Sequence, residues 1–188
     1  MRSSRVVGII SFLIAVLSVS TAGSAVAAPA PPPSAPFTAQ AIAAGLSDGQ
    51  ARWLQAEVDR TIARTGGTQT APNQIQFDGA TMTIALPGEQ HPRNFSDNEF
   101  APNAYCAYGH LCLYRGPSYT GTKVDLYACN SRYSLPGWTG RGSFINNQTA
   151  GTIADFYTKT GYYAGSMAYD ISVDYDWTPI WYVRACST

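Results

Sequence analysis

The chain has 188 residues, with twelve Lys plus Arg against twelve Asp plus Glu, and only 13% of it is charged. That balance argues against nucleic-acid binding, which needs a clustered basic face. Beyond the N-terminus no apolar run approaches the ~20 residues of a membrane-spanning helix, and abundant Gly, Thr, Ser and Tyr suit a small extracellular β-protein.

The first residues read as a leader. Arg2 and Arg5 form a basic region, Val6 to Val19 is almost continuously apolar, and Ala25-Val26-Ala27 supplies small residues for cleavage after Ala27. A signal peptide over 1–27 makes the protein secreted. Of the twelve basic residues, loss of Arg2 and Arg5 leaves ten against twelve acidic, so the mature chain is weakly acidic. Residues 28–36 are rich in Pro and Ala and read as an extended tether.

Residues 37–87 carry a helix and a hairpin. Ser47-Asp48-Gly49-Gln50 is a capping-box pattern. Ala51, Leu54, Val58 and Ile62 follow at helical spacing, and Gly66-Gly67 ends the helix. Ile75 and Phe77 then alternate with polar residues, Asp78-Gly79 makes a tight turn, and Met82, Ile84 and Leu86 resume the alternation. So small a core is expected to pack on its neighbour or to serve as a pro-region. Residues 88–104 are polar and read as a linker and a processing point. His91 and His110 lie in unrelated contexts and are read as solvated.

Residues 105–188 read as a domain of short strands: Cys112 to Tyr114, Lys123 to Tyr127, Ser143 to Ile145, Thr152 to Tyr157 and Trp181 to Val183, separated by Gly, Pro, Asn and Ser. The four cysteines, Cys106, Cys112, Cys129 and Cys186, read as two disulfides in an exported chain. Three pairings are possible. A local Cys106–Cys112 bridge closes a short loop through Gly109, which leaves Cys129 for Cys186. Each bridge is expected to contribute roughly 2–4 kcal/mol. The spacings are irregular and contain no C-x-x-C, so no metal site and no cofactor are expected.

Tyr114-x4-Tyr119-x-Gly121 has a specific physical reading. Tyr114 ends a strand, the loop folds back so that the ring of Tyr119 meets that of Tyr114, and Gly121 takes a backbone angle closed to other residues. Tyr157, Tyr163 and Gly165 repeat the pattern with one extra residue. The first stretch closely resembles the tyrosine-corner hairpin of the βγ-crystallin Greek key. Two in series suggest an all-β, crystallin-like double Greek-key sandwich, preceded by the helix-plus-hairpin segment.

Cys106-x5-Cys112-Leu-Tyr, Tyr119-x-Gly121, Gly142-Ser143-Phe144-Ile145-Asn146-Asn147-x-Thr149 and Phe156-Tyr157 together resemble peptidase inhibitor family I36, secreted actinobacterial proteins named for a Streptomyces metalloproteinase inhibitor. The resemblance covers about Tyr105 to Cys186. It implies a crystallin-like fold and non-covalent inhibition of a secreted metalloprotease by a disulfide-stapled loop; a monomer with no membrane or nucleic-acid partner is expected. The founding inhibitor holds its reactive loop in a second short disulfide loop that this chain lacks, so no reactive-site residue carries over. The stretches where crystallin domains bind calcium, Thr139 to Ser143 and Asn146 to Ala150, lack a carboxylate, and Ala150 stands where a hydroxyl is needed.

Two stretches are the candidate partner-binding loops. Asn130 to Gly142 holds Tyr133, Leu135 and Trp138; Gly165 to Trp177 holds Tyr169, Tyr175 and Trp177 among three aspartates. A rigid loop binds with little loss of conformational entropy. The same aromatics, with Tyr162-Tyr163, would suit a glycan or cell-wall ligand, as in a toxin-like antimicrobial module. No Ser-His-Asp set, H-E-x-x-H or P-loop appears. Asp174 and Asp176, two apart on one strand face, are the nearest to a catalytic carboxylate pair, and no enzyme is expected.

Overall fold

The structure, a computed structural model, describes residues 35–95, 106–129 and 132–187. The expected leader, nearly all of the tether, most of the second half of the linker and the Asn130 end of the first candidate loop lie outside these residues.

Two helices come first. Helix α1 (Ala35–Ala43) was not expected; it begins within the last two residues assigned to the tether. Helix α2 (Asp48–Thr65) starts where the capping box placed it: the Gln50 amide donates to the Ser47 hydroxyl, and the Gln50 side chain accepts from the Ser47 amide. Its buried face holds Ala51, Leu54 and Val58, and Gly66 caps it at a positive φ of 74°.

Eleven strands follow among the described residues. They are β1 (Thr68–Ala71), β2 (Gln74–Phe77), β3 (Ala80–Thr83), β4 (His110–Tyr114), β5 (Lys123–Leu126), β6 (Arg132–Ser134), β7 (Arg141–Asn147), β8 (Ile153–Tyr157), β9 (Tyr162–Met167), β10 (Ile171–Asp176) and β11 (Tyr182–Ser187). They form two antiparallel sheets, ordered β1-β2-β3-β5-β4-β7-β10 and β6-β11-β8-β9. Strands β4–β7 and β8–β11 are two runs of four. In each run the second, first and fourth strands lie side by side, and the third crosses to the edge of the other sheet.

The hairpin β2–β3 turns at Asp78-Gly79, with Phe77 opposite Ala80. Strand β3 then pairs with β5, Ala80 opposite Leu126 and Thr83 opposite Lys123. The helix-plus-hairpin segment and the cysteine-bearing segment therefore share one sheet. They also share one core, in which Leu54, Val58, Ile75 and Met82 join Leu111, Leu113, Val124, Phe156 and Val183. Chain beyond β3 is tied down as well: the Gly121 amide donates to Gln90 O at 2.7 Å, and His91 Nδ1 lies 2.9 Å from Tyr119 O. His91 thus has a partner, while His110 lies ring to ring with Tyr127, its buried Nδ1 3.8 Å from Asp125 and without a hydrogen bond among the described residues.

Both disulfides are present in the pairing expected, Cys106–Cys112 and Cys129–Cys186, with Cα–Cα distances of 5.7 and 4.6 Å. Each run of four also carries an acid–base pair beside its tyrosine. Lys123, 2% exposed, reaches Asp125 at 2.8 Å below the ring of Tyr114. Arg184 pairs with Asp155, to which the Tyr157 hydroxyl donates at 3.1 Å. Breaking such a pair by removing one partner is costlier than the pair's net contribution, since it strands a charge in low dielectric.

Three phenols are held neutral. Burial pushes the Tyr114 hydroxyl up, aided by Asp125 and Tyr119, and burial alone does so for Tyr133. Burial, with help from Tyr163 and Asp176, raises Tyr175 from 10.0 to about 12. The neutral form is therefore favoured in the folded state. That stability is fully present below the ordinary tyrosine pKa and is lost as pH rises from 10.0 through about 12. Phenolate absorbance and unfolding, followed together in an alkaline titration, should show these tyrosines ionising only with loss of structure. Their ionisation in a still-folded protein near pH 10 would contradict the burial argument.

Candidate functional site

Most aromatics of the two candidate loops lie in the core. Tyr133, Leu135 and Trp138 are buried, Trp177 is wholly so, and Tyr175 is half-buried against the core cluster. This corrects their reading as contact residues. The sandwich needs large side chains to plug its interior, and the rings of Trp138, Phe144, Phe156, Tyr175 and Trp177 meet one another there at 4.8–6.0 Å. The stretch from Gly165 to Trp177 is also not a loop. It holds the end of β9 and all of β10, with a turn of three residues between them.

Tyr169 is the exception. It sits in that turn, 59% exposed, at a positive φ of 74° that a tyrosine rarely adopts. The turn is held on both sides. The Tyr169 amide donates to Asn146 O at 2.7 Å, the Asn146 amide donates to Asp170 O at 2.9 Å, and the Met167 amide donates to the Asp170 carboxylate at 2.9 Å. Backbone strain of this kind persists only where the surroundings over-determine it.

The next residue of β7, Asn147, holds a second exposed tip. Its carbonyl accepts from the Gly109 amide at 2.7 Å, and its side-chain amide donates to Cys106 O at 2.9 Å. Between those anchors, inside the Cys106–Cys112 ring, Tyr108 stands 66% exposed. Two consecutive asparagines thus fasten a disulfide-closed loop and a strained hairpin turn side by side. Met167, Ile171 and Val173 extend the exposed apolar surface along β9 and β10, and Tyr162 and Tyr163 lie exposed at the far end of β9. Tyr108 and Met167 were not picked out by sequence reasoning. The available signal was the Asn146-Asn147 pair, whose side chains and carbonyls have few partners to choose from at the end of a strand.

At the first tyrosine motif, the rings of Tyr114 and Tyr119 meet edge to face at 5.5 Å. Ser118 and Tyr119 have positive φ, as does Gly121 at 78°. The Ser143 hydroxyl accepts from the Tyr119 amide and donates to Gly116 O, and the Ser118 amide reaches Val173 O. The second motif differs. Tyr157 takes Tyr162, not Tyr163, as its ring neighbour at 6.0 Å. The ladder pairs Tyr157 with Tyr162 and Phe156 with Ala164, so Tyr163 is the extra residue of a bulge. Gly165 does not have a positive φ, and a Cβ there would lie 3.0 Å from the Tyr162 hydroxyl, the far end of an exposed side chain.

The carboxylates of β10 are engaged separately. Asp174 accepts from Arg141 Nε at 2.6 Å, which holds its pKa below the usual range, and Asp176 is held low by hydrogen bonds from Thr178. Each has its own donor, so they do not form a pair that shares a proton. Among the described residues no group of three or more His, Cys, Asp or Glu could hold a metal, and no helix is long and apolar enough to cross a membrane.

Residues 100–169 match the family model described as peptidase inhibitor family I36. No curated protein and no solved structure matches the chain. The I36 match supports a peptidase inhibitor, whose partner is a protease. It takes in the Cys106–Cys112 loop, Asn146-Asn147 and strand β9, and it ends at Tyr169, on the turn described above.

Proposed function

We propose that this is a secreted inhibitor of an extracellular metalloprotease, binding non-covalently through the paired tips that carry Tyr108 and Tyr169. The observation that carries the reading is the fastening of both tips to Asn146 and Asn147. Loops already rigid in the free protein lose little entropy on binding, and exposed tyrosines flanked by apolar side chains are typical anchors. The disulfide-stapled loop of the mechanism is then the one closed by Cys106–Cys112. The exchange of third strands between sheets supports a βγ-crystallin-type pair of Greek keys as the scaffold. The leader pattern together with two disulfides supports secretion.

The test is a titration of the mature protein against thermolysin-like and other secreted metalloproteases, read by peptide hydrolysis. Tyr169→Gly is the informative variant, because glycine adopts the positive φ without strain and removes only the side chain. It should keep the thermal stability of the parent and weaken inhibition about 30-fold, the size of a contact worth ~2 kcal/mol. Undiminished inhibition by Tyr169→Gly would place the contact elsewhere. Absence of inhibition by the parent against every protease would favour a cell-wall or glycan ligand for the exposed tyrosines.

A further inference from the structure

The chain has three methionines. Met1 falls in the expected leader, and Met82 is 4% exposed within the core. Met167, at the end of β9, is 62% exposed. All four cysteines are closed in disulfides, so no thiol competes for an oxidant. Met167 is therefore the one accessible reduced sulfur among the described residues. Its backbone is fixed independently of its side chain. The Met167 amide donates to the Asp170 carboxylate at 2.9 Å, the residue lies opposite Ile153 in the ladder, and the Ala168 amide donates to Thr152 O at 2.8 Å. The thioether thus stands two residues before Tyr169, exposed on a strand end that main-chain bonds hold in place.

We infer that Met167 is a modification site at which hydrogen peroxide switches the inhibitor off. The sulfur gives up two electrons and takes one oxygen atom from the peroxide; the O–O bond breaks, water leaves, and methionine sulfoxide remains. A flexible apolar contact becomes a polar one, whose oxygen loses its water when a protease covers it and has no donor provided for it. The Tyr169 turn keeps its shape, because none of the hydrogen bonds that hold it uses the thioether. In a secreted inhibitor the change persists, away from the reductants of the cytosol. The inference rests on the inhibitor reading above, with Met167 inside the contact.

The mature protein is treated with dilute hydrogen peroxide and followed by peptide mass, thermal unfolding and titration against a metalloprotease that the parent inhibits. The Met167 peptide should gain one oxygen while Met82 stays unmodified until the protein is unfolded. Inhibition should weaken about tenfold with no change in the unfolding midpoint, and methionine sulfoxide reductase should restore it. Met167→Leu, a swap of similar volume, should inhibit within about threefold of the parent and should not respond to peroxide. Oxidation of Met82 as fast as Met167, full inhibition by the Met167 sulfoxide, or an equal loss by peroxide-treated Met167→Leu would overturn the switch and leave the inhibitor reading standing. A parent that inhibits no protease before treatment would overturn that reading and the switch together.

Discussion

Trp177→Ala should destabilise the protein by about 3–5 kcal/mol, enough to leave much of it unfolded at moderate temperature. Trp177 is 0% exposed and packs against Trp138, Phe156 and Tyr175. Truncation leaves a cavity that rigid rings cannot collapse to fill. It also removes the indole N–H that donates to Tyr114 O at 2.9 Å. The contact is tight enough that a Cβ on Gly142 would lie 2.0 Å from Trp177 Nε1 and 2.5 Å from Tyr114 O. Gly142→Ala should therefore damage the fold by the same route, without touching the tryptophan. Denaturant unfolding of both variants measures the effect. A loss below about 1 kcal/mol for Trp177→Ala would mean the aromatic core is not the centre of stability.

Removing the Cys129–Cys186 bridge, as the double Cys→Ser variant, should cost about 4 kcal/mol on the chain-entropy estimate. The bridge closes a sequence separation of 57 residues and ties the end of β5 to β11, the last strand of the second sheet. Opening Cys106–Cys112, which spans a separation of six, should cost nearer 2 kcal/mol. The two variants separate stability from function. Loss of the long bridge should lower the unfolding midpoint most while leaving inhibition by the folded fraction intact. Loss of the short bridge should loosen the Tyr108 tip and weaken inhibition more than it lowers the midpoint. The reverse pattern, measured by unfolding and inhibitor titration on the same samples, would exclude the Tyr108 loop from the contact.

Features set by neighbours in the chain were legible without a structure. The capping box at Ser47 and Gln50, the Asp78-Gly79 turn and the cysteine pairing depend on local spacing or on loop closure. The Tyr114–Tyr119 ring contact follows from a short folded-back loop. The aromatic loops were misread because an aromatic residue among Gly and Pro has the same local pattern whether it plugs a core or meets a partner. Alternation in β10 would put Ile171, Val173 and Tyr175 on one face. The register shift between Ser172 and Tyr175, in the pairing with β7 at the edge of the other run's sheet, puts Tyr175 against the core and leaves Ile171 and Val173 exposed. Tyr163 was taken for Tyr162 because one bulged residue shifts the ladder, and a bulge leaves no mark in spacing alone.

By itself, the sequence determined the helix, the first hairpin, the disulfide framework, the β-rich class and the resemblance to an inhibitor family, because each rests on short-range chemistry or on motif order. Only the tertiary structure decided that β3 joins β5, that five of the six candidate contact residues lie in or against the core, and that Asn146 and Asn147 bring Tyr108 and Tyr169 to one end of the sandwich. Those outcomes depend on which strands pair across long stretches of chain, a cooperative choice made by total burial that no local pattern encodes.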